Sequence, residues 1–189
     1  MVSKGQHVRG RIIDAANRLF YERGFNRTSF SDIADAADIP RGNFYYYFKS
    51  KDEILGAVID ARLDDISTML EGWNETIDSP RDRLKRYLKI AINEAPEVVL
   101  HGCPMGSLNQ ELIKGQMALR EHARKMFDLF GSWLEQQFRA LGKSKDVASG
   151  LARHLQGRMQ GIALLGAAYG DTEFITREVG QLTRWLEEL

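Results

Sequence analysis

The chain has 189 residues, 43% of them hydrophobic and 28% charged, and its formal net charge is zero. This length suits one or two globular modules, and no apolar run approaches the roughly 18 residues of a membrane span, which argues against a membrane protein. The single cysteine, Cys103, excludes an internal disulfide framework and favours a reducing cytoplasm. No apolar signal region precedes the first amphipathic segment, so we expect no export signal.

Charge is distributed unevenly along the chain. Residues 1–51 carry nine Lys and Arg against five Asp and Glu, a net charge of +4, so residues 52–189 carry −4. A basic front and an acidic body are typical of a polyanion-binding module joined to an acidic domain. Chance scatter of charge explains the same asymmetry equally well at this point.

Helical periodicity predicts the first two elements. Apolar residues recur at helical spacing between residues 12 and 20, and Gly24 is placed as the cap at the end of that helix. Either Thr28 or Ser29 can cap the next helix, and Ser29-x-x-Asp32 matches a capping box. The second helix is therefore short and begins near Ser29.

Pro40 marks the end of the second helix, because proline disfavours a helical residue before it and suits the first turn of a new helix. The third helix is predicted over about Arg41–Phe48. Ser50 then caps a long fourth helix, which runs from about Lys51 towards Trp73.

The rest of the chain also has helical periodicity. Pro80 opens a helix that continues through Ala91, and Pro96 and the Gly102–Pro104 segment interrupt the pattern near the middle of the chain. Three further helices are predicted over residues 117–141, 147–169 and 171–189. Strand-like alternation, internal repeats and low-complexity linkers do not occur in the sequence, so the predicted fold class is all-α.

The two short helices and their tight turn form a helix-turn-helix, and the second of them carries five consecutive aromatic residues. At about 100° per residue, Phe44 and Phe48 share a face that we expect to be buried. Tyr45 and Tyr46 point the other way, and Tyr47 lies at the border between the two faces.

The outward face of this third helix has chemistry suited to DNA. A tyrosine phenol donates to a phosphate, and its ring packs against a thymine methyl group. Arg41 can bridge guanine O6 and N7, and Asn43 can bond an adenine edge or a phosphate. Alternatively, these residues form an ordinary amphipathic surface on a generic helical hairpin, and periodicity does not decide between the two.

A longer pattern bears on that choice, because the N-terminal third resembles the signature of tetracycline-repressor (TetR)-type transcriptional regulators. The matching positions are Thr28, Asp32, Ile33, Ala34, Ala37, Ile39, Gly42, Phe44, Tyr45, Tyr47, Phe48, Lys51 and Leu55. The sequence departs from the family at Asp38, where glycine is usual in the turn, and Tyr47 stands where histidine is also common. Aspartate tolerates a left-handed backbone better than most residues, so the turn is expected to survive with some strain.

The resemblance implies a set of DNA-binding residues around the helix-turn-helix. Thr28 would present its hydroxyl and backbone N–H to a phosphate, and Lys51 would add a contact to the DNA backbone. The implied base-reading residues are Arg41, Gly42 and Asn43; those for phosphates and thymine methyls are Tyr45, Tyr46 and Tyr47; Arg27, Ser29 and Lys49 are weaker candidates on the rim.

The resemblance also implies two domains and a dimer. Residues 1–51 would form the DNA-binding domain, and residues 52–189 a helical ligand-binding and dimerisation domain. One head is too small for tight specific binding, so the family binds a palindromic operator as a two-fold homodimer. Small residues in the stretch 157–169 suit close contact between the last two helices of two subunits, although both helices can instead be buried within one subunit.

The implied mechanism is ligand-responsive repression. A small molecule or an electrophile acting on the body would move the long fourth helix, change the spacing of the two recognition helices and release the operator. Activation rather than repression is left open by the sequence, as are the inducer, the operator and the regulated genes.

The segment HGCPMGSLNQEL, residues 101–112, resembles the Gly-Cys-x-x-Gly-x-Leu-x-x-Glu-Leu segment of a family branch that includes repressors responsive to N-ethylmaleimide and acrylate. In that branch the cysteine can sense electrophiles or oxidants. Cys103 would lie near a helix start opened by Pro104, where the helix dipole and His101 would lower the pKa of the thiol. Two alternatives stay open: Cys103 lines a ligand pocket without covalent chemistry, or it is a small buried hydrophobe.

Further pocket candidates follow from position in the body. They are Tyr87, Met105, Asn109, Phe127, Arg158 and Ile162. Arg158 lies in an otherwise apolar segment, where it would bind a ligand carboxylate, pair with an acid such as Glu111, or face solvent.

An enzyme has little support in this sequence. The four histidines show no HExxH pairing, and no GxxxxGK[ST] or GxGxxG motif occurs. We therefore expect neither a catalytic site nor a metal nor a cofactor. A purely helical adaptor would account for the body but not for the basic, tyrosine-bearing head.

Overall fold

The computed structural model describes residues 4–113, 115 and 117–189, and the described residues form α-helices joined by short connections. In chain order the helices are α1 (Lys4–Arg23), α2 (Phe30–Ala36), α3 (Arg41–Tyr47), α4 (Lys51–Thr76), α5 (Pro80–Asn93), α6 (Ala95–His101), α7 (Pro104–Leu112), α8 (Met117–Ala140), α9 (Lys145–Tyr169) and α10 (Thr172–Glu188). Within the described ranges there is no strand, so the all-α prediction is confirmed.

The chain packs as two compact units. The first unit runs up to Asp64 and adds Ser107–Lys125, and the second comprises Asp65–Gly106 and Met126–Leu189. These limits differ from the division at residues 51 and 52, which was placed where the helix-turn-helix head ends. That division stays a prediction about function, whereas the compact units follow from packing.

The first unit has a core made by one face of each of its helices. α1 contributes Ile12, Ala16, Leu19 and Phe20; α2 contributes Ile33 and Ala34; α3 contributes Phe44; α4 contributes Ile54, Leu55, Val58 and Ile59; Phe48 joins them from the connection after α3. The rings of Phe20 and Phe25 meet edge to face at 5.2 Å between centroids, which folds the chain back after α1.

The predicted capping box at the start of α2 is confirmed. The backbone N–H of Asp32 donates to the Ser29 hydroxyl at 3.1 Å, and the Asp32 carboxylate accepts the backbone N–H of Ser29 at 2.7 Å. At the other end, Asp38 adopts a positive φ of 52°, the left-handed conformation predicted for the turn. Capping and turn chemistry thus set both ends of this seven-residue helix.

The second unit has its own core, formed by α5, α6, α8, α9 and α10 with the end of α4. Its fully enclosed side chains include Leu84, Leu88, Leu134, Phe138, Leu155, Ile175 and Leu186. Trp73 and Trp133 belong to this core and pack edge to face, with ring centroids 5.7 Å apart. Among the described helices of both units, none combines the length and the hydropathy needed to cross a membrane.

Candidate DNA-binding site

The aromatic run on α3 divides between core and surface as its periodicity predicts. Phe44 and Phe48 are 1% and 0% exposed, whereas Tyr45 and Tyr46 are 58% and 82% exposed. Tyr47 is half-buried, at the border. The two phenylalanines therefore hold α3 on the first unit, and the same helix presents two phenols to solvent.

The two exposed tyrosines differ in how firmly they are held. The ring of Tyr45 stacks on Phe30 of α2, with centroids 5.0 Å apart and ring planes 24° from parallel. Phe30 in turn meets Phe44 edge to face at 4.6 Å. Tyr46 meets only the edge of Tyr47, at 5.4 Å, among the ring contacts of the described residues. Tyr46 is thus the more accessible of the two.

The start of α3 is open. Gly42 and Asn43 are exposed, and a Cβ placed on Gly42 would meet no atom within 4 Å, so the backbone there is free of protein cover. Asn43 and Phe44 anchor this first turn, since both backbone N–H groups donate to the Pro40 carbonyl at 2.8 and 3.2 Å. The Arg41 side chain lies outside the described part of the structure.

Thr28 is not at the surface, and the expectation that it presents its hydroxyl and N–H to a phosphate is wrong. The residue is 1% exposed, and its hydroxyl donates to the Gly24 carbonyl at 2.8 Å. Its backbone N–H donates to the Phe25 carbonyl at 3.3 Å. Both donors are therefore used inside the turn between α1 and α2, where threonine stabilises the bend.

Lys51 is also committed to that turn. Its ammonium donates to the carbonyls of Phe25 at 2.8 Å and Thr28 at 3.0 Å, and it lies 4.3 Å from the centre of the Phe25 ring. Two of its three N–H donors are therefore engaged in holding the turn, and one is left. Its contact with the DNA backbone stays a prediction.

The remaining rim residues are exposed. Arg27, Ser29 and Lys49 all lie at the surface of the first unit. The Ser29 hydroxyl donates to the Asp32 carboxylate at 2.6 Å, so that group is engaged in the cap. The Lys49 ammonium donates to the Tyr45 carbonyl at the end of α3, where a cation also complements the helix dipole.

Arg11 is a residue of this site that sequence reasoning missed. From α1 its guanidinium donates to the carbonyls of Ala37 and Asp38, the second at 3.1 Å, and so holds the turn between α2 and α3. Ala37 and Asp38 lie 26 and 27 positions along the chain from Arg11. No local sequence pattern indicates a partner at that separation.

The second unit contains the proposed sensor cysteine. Cys103, half-buried, directly precedes α7, and its Sγ accepts from the Gly106 backbone N–H and from Gln160 Nε2, both at 3.5 Å. A Cβ on Gly106 would lie 2.5 Å from Gln160 Oε1, so a larger residue there would displace the end of the Gln160 side chain. Burial, and secondarily the neighbouring Cys103 charge, raise the pKa of Tyr87 well above its ordinary value.

The predicted sensor residues are not all brought together. Tyr87, Cys103, Met105 and Ile162 contribute to or pack against the core of the second unit, and His101 is half-buried beside Glu97, at 3.9 Å. Asn109 belongs to the first unit, where its amide donates to the Ala123 carbonyl at 3.3 Å. Phe127 lines a separate groove between α8 and α9, together with Gly131, Ser132, Arg153 and Gln156.

Arg158 faces solvent, which is one of the alternatives that the sequence left open. It is exposed on α9 and pairs with Glu178 of α10, with Nη2 and Oε2 3.3 Å apart. Its acidic partner is therefore Glu178, where Glu111 was given as an example, and a ligand carboxylate at Arg158 stays a prediction. Glu178, whose side chain is 19% exposed, supplies the opposite charge from the adjacent helix.

These features define a helix-turn-helix protein with an all-helical body. Residues 12–58 match the family described as "Bacterial regulatory proteins, tetR family", and the fold is that of a solved TetR transcriptional regulator from Legionella pneumophila, with a TM-score of 0.83 over 94% of both chains and 23% identity. The chain belongs to the TetR family of bacterial regulators.

Two sequence relatives show how far the similarity extends. The chain is 34% identical over 134 residues to the uncharacterized HTH-type transcriptional regulator in the lacX 3' region of Lactococcus lactis subsp. lactis, an alignment that covers 70% of this chain and 66% of that protein. It is 43% identical over 58 residues to the HTH-type transcriptional regulator TtgR of Pseudomonas putida, covering 31% of this chain and 28% of TtgR. The chain thus aligns with only part of each relative's length.

Proposed function

We propose that this protein is a ligand-responsive transcriptional repressor that binds a palindromic DNA operator as a homodimer. The observation that carries the proposal is α3, which buries Phe44 and Phe48 and leaves Tyr45 and Tyr46 exposed in a family of bacterial regulators. A recognition helix needs one face for its own fold and the other for the major groove. Such a protein works where the chromosome is, in the cytoplasm.

On this proposal the exposed residues of the first unit divide into two groups. Arg41, Gly42 and Asn43, at the start of α3, read base edges, and the open backbone at Gly42 allows close approach. The second group contacts phosphates and thymine methyls and comprises Arg27, Ser29, Tyr45, Tyr46, Tyr47 and Lys49. Thr28 supports the fold of the site from within and does not contact DNA, whereas Lys51 holds the same turn and keeps one donor for a phosphate.

The dimer is proposed to form through α9 and α10, and the small residues of α9 divide between two roles. Gly166 serves packing within the subunit, since a Cβ there would lie 2.6 Å from Ile175 Cγ1. Gly157 and Gly161 are exposed with open space around them, and Leu164, Leu165 and Tyr169 add exposed apolar surface to the same helix. Such an apolar stripe on a helix suits a second copy of the chain.

The inducer is proposed to act in the second unit, where Tyr87 and Cys103 lie close together. A small molecule can be held there by the phenol and by the Gln160 amide. An activated alkene can instead add to Sγ, forming a C–S bond while its carbanion takes a proton from water. Either event would perturb the two weak contacts that Sγ makes with Gly106 and Gln160.

DNA binding is tested first, by selection from a random-sequence duplex library followed by gel shifts at several salt concentrations. A duplex with two-fold symmetry, bound more weakly as salt rises, is expected. No selection and no shift at low salt, from a folded protein, would overturn the proposal.

The sensor is tested on the selected duplex with N-ethylmaleimide as the electrophile. The native protein should release the duplex after treatment, and Cys103→Ser should keep it. Equal release from both proteins would remove the Cys103 thiol from the mechanism.

A further inference from the structure

The carboxylate of Glu111, on α7, lies against the turn that joins α1 to α2 within the first unit. Its Oε1 accepts the backbone N–H of Phe25 at 3.2 Å, and its Oε2 accepts the backbone N–H of Asn26 at 3.0 Å. Two consecutive amides thus bind the two oxygens of one carboxylate. Hydrogen bonds to an ionised acceptor are stronger than neutral ones, and a bidentate pair also fixes orientation.

Gly24 shows that the turn is shaped to receive this carboxylate. Its φ of +89° lies in the left-handed region, which already favours glycine. A Cβ at this position would also lie 2.8 Å from Glu111 Oε1, closer than real side chains approach. The backbone conformation therefore favours glycine, and a side chain at this position would also push the Glu111 carboxylate away from the turn.

A cation holds the same turn by its carbonyls. The Lys51 ammonium donates to the Phe25 and Thr28 carbonyls, as described above, while Glu111 binds the N–H groups of Phe25 and Asn26. The carbonyl oxygens of the turn, which carry partial negative charge, thus bind a positive side chain. The N–H groups, which carry partial positive charge, bind a negative one. This arrangement restricts the turn more than either contact alone.

The turn leads directly into the proposed DNA-binding surface. Arg27 and Ser29 follow Asn26 within three residues, and Ser29 is the N-cap of α2. We infer that Glu111 is a positioning residue for DNA binding, which holds the turn at residues 24–28 so that Arg27, Ser29 and the start of α2 meet the phosphate backbone. Glu111 touches no DNA itself, and the inference rests on the proposed function.

The test compares Glu111→Gln with Glu121→Gln, which changes an exposed glutamate of the same unit. Glutamine removes the charge and replaces one acceptor oxygen by an NH₂ group, which faces an amide donor. We expect affinity for the duplex selected by the native protein to fall about tenfold, equivalent to losing one hydrogen bond to a charged group. Hydrogen exchange at the Phe25 and Asn26 amides should accelerate, and Glu121→Gln should change neither quantity.

A second variant, Glu111→Asp, keeps the charge but withdraws it by one methylene group. Duplex affinity should fall together with amide protection at Phe25 and Asn26 across the two variants. Both quantities are measured under conditions in which circular dichroism shows that the variants are folded. This correlation is the readout that a merely stabilising contact would not produce. It also keeps the inference testable if glutamine prevents folding.

The possible failures are distinguishable. If the native protein selects no duplex, the proposed function fails, and Glu111 then has no DNA-binding role to perform. If the native protein binds but Glu111→Gln binds equally well with unprotected amides, the inference is overturned and the function stands. Affinity that falls while both amides stay protected would likewise overturn it.

Discussion

The guanidinium of Arg11 donates to the backbone carbonyl of Asp38 at 3.1 Å, and Asp38 is the residue whose φ of 52° closes the turn between α2 and α3. The same guanidinium also donates to the Ala37 carbonyl. α1 therefore stabilises the turn of the helix-turn-helix at Asp38. Among the described residues, Asp38 is the one other than glycine that adopts a positive φ. Arg11 and Asp38 each give a prediction.

Asp38→Gly should raise the free energy of unfolding by about 0.5–1 kcal/mol, because glycine adopts the left-handed conformation without the cost of a Cβ. The side chain that is lost makes only a long ion pair with Arg11, at 3.7 Å, and is fully exposed. Urea denaturation would measure the change, which should appear as a higher midpoint with an unchanged m value. Asp38→Val, which places a β-branched residue at that φ, should act in the opposite direction.

Arg11→Met should lower the free energy of unfolding by about 1–2 kcal/mol, because two backbone carbonyls lose a charged donor while the aliphatic packing is kept. Arg18→Met is the matched control, since Arg18 is an exposed arginine on the same helix. Thermal or urea unfolding of the two variants compares them directly. Equal stability of both variants would show that the Arg11 contact is not worth more than ordinary surface charge.

Thr28→Val should destabilise the protein by about 1–2 kcal/mol, because the part-buried Gly24 carbonyl loses its hydroxyl donor with little change in shape. DNA affinity of the folded variant should change little, since the hydroxyl does not reach the surface. Ser29→Ala is the useful contrast: it removes the N-cap of α2, at a cost of about 1 kcal/mol, and should also weaken DNA binding. A large affinity loss in folded Thr28→Val would restore the phosphate role.

Tyr46→Ala should weaken binding to the selected duplex by about 5–100-fold, within the roughly 1–3 kcal/mol range of a specific DNA contact. Its stability should stay within about 0.5 kcal/mol of the native protein, as for other exposed sites. Phe48→Ala, on the opposite face of the same run, should cost about 3–5 kcal/mol of folding free energy. Gel shifts and urea denaturation separate the two effects, and unaltered duplex binding by Tyr46→Ala would contradict the assignment of the outward face.

Tyr87 predicts how stability depends on alkaline pH. Its folded-state pKa is raised above the ordinary 10.0, first by burial and then by the charge of Cys103. A raised pKa means that the folded state holds the proton more tightly, so this contribution is fully present below pH 10 and is lost as pH rises above it. The free energy of unfolding should fall above about pH 10, and less steeply in Tyr87→Phe.

Tyr169→Phe, at an exposed tyrosine of the same unit, should keep the native profile. Denaturation midpoints measured between neutral pH and the alkaline range check this prediction. Parallel profiles for the native protein and Tyr87→Phe would contradict it.

Features that depend on neighbours a few residues apart were predictable from the sequence. The capping box joins Ser29 to Asp32, three positions away, and the division of residues 44–48 into two faces follows from helical periodicity alone. Pro40 and Asp38 likewise report the backbone geometry of the turn through their own φ preferences. These predictions held because the interactions behind them are local.

The sequence did not decide the partners of side chains that have both a local and a distant choice. Thr28 carries a donor suited to a phosphate, and the expected contact was wrong because its hydroxyl donates to a carbonyl within the turn. Lys51 has a charge suited to DNA, and in the fold its ammonium also binds the Phe25 carbonyl, 26 positions away. Among the alternatives for Arg158, the fold selected the exposed position beside Glu178.

The sequence by itself determined most of the helices, the capping box of α2, the helix-turn-helix and the family, because propensity, periodicity and turn chemistry act over a few residues. Only the tertiary structure decided which charged groups bind the turns of the head. The hydrogen bond from Arg11 to Asp38 spans 27 positions of the chain, and the one from Phe25 to Glu111 spans 86. A long flexible side chain has many possible partners, and only packing of the helices selects among them by bringing one acceptor or donor within about 3 Å.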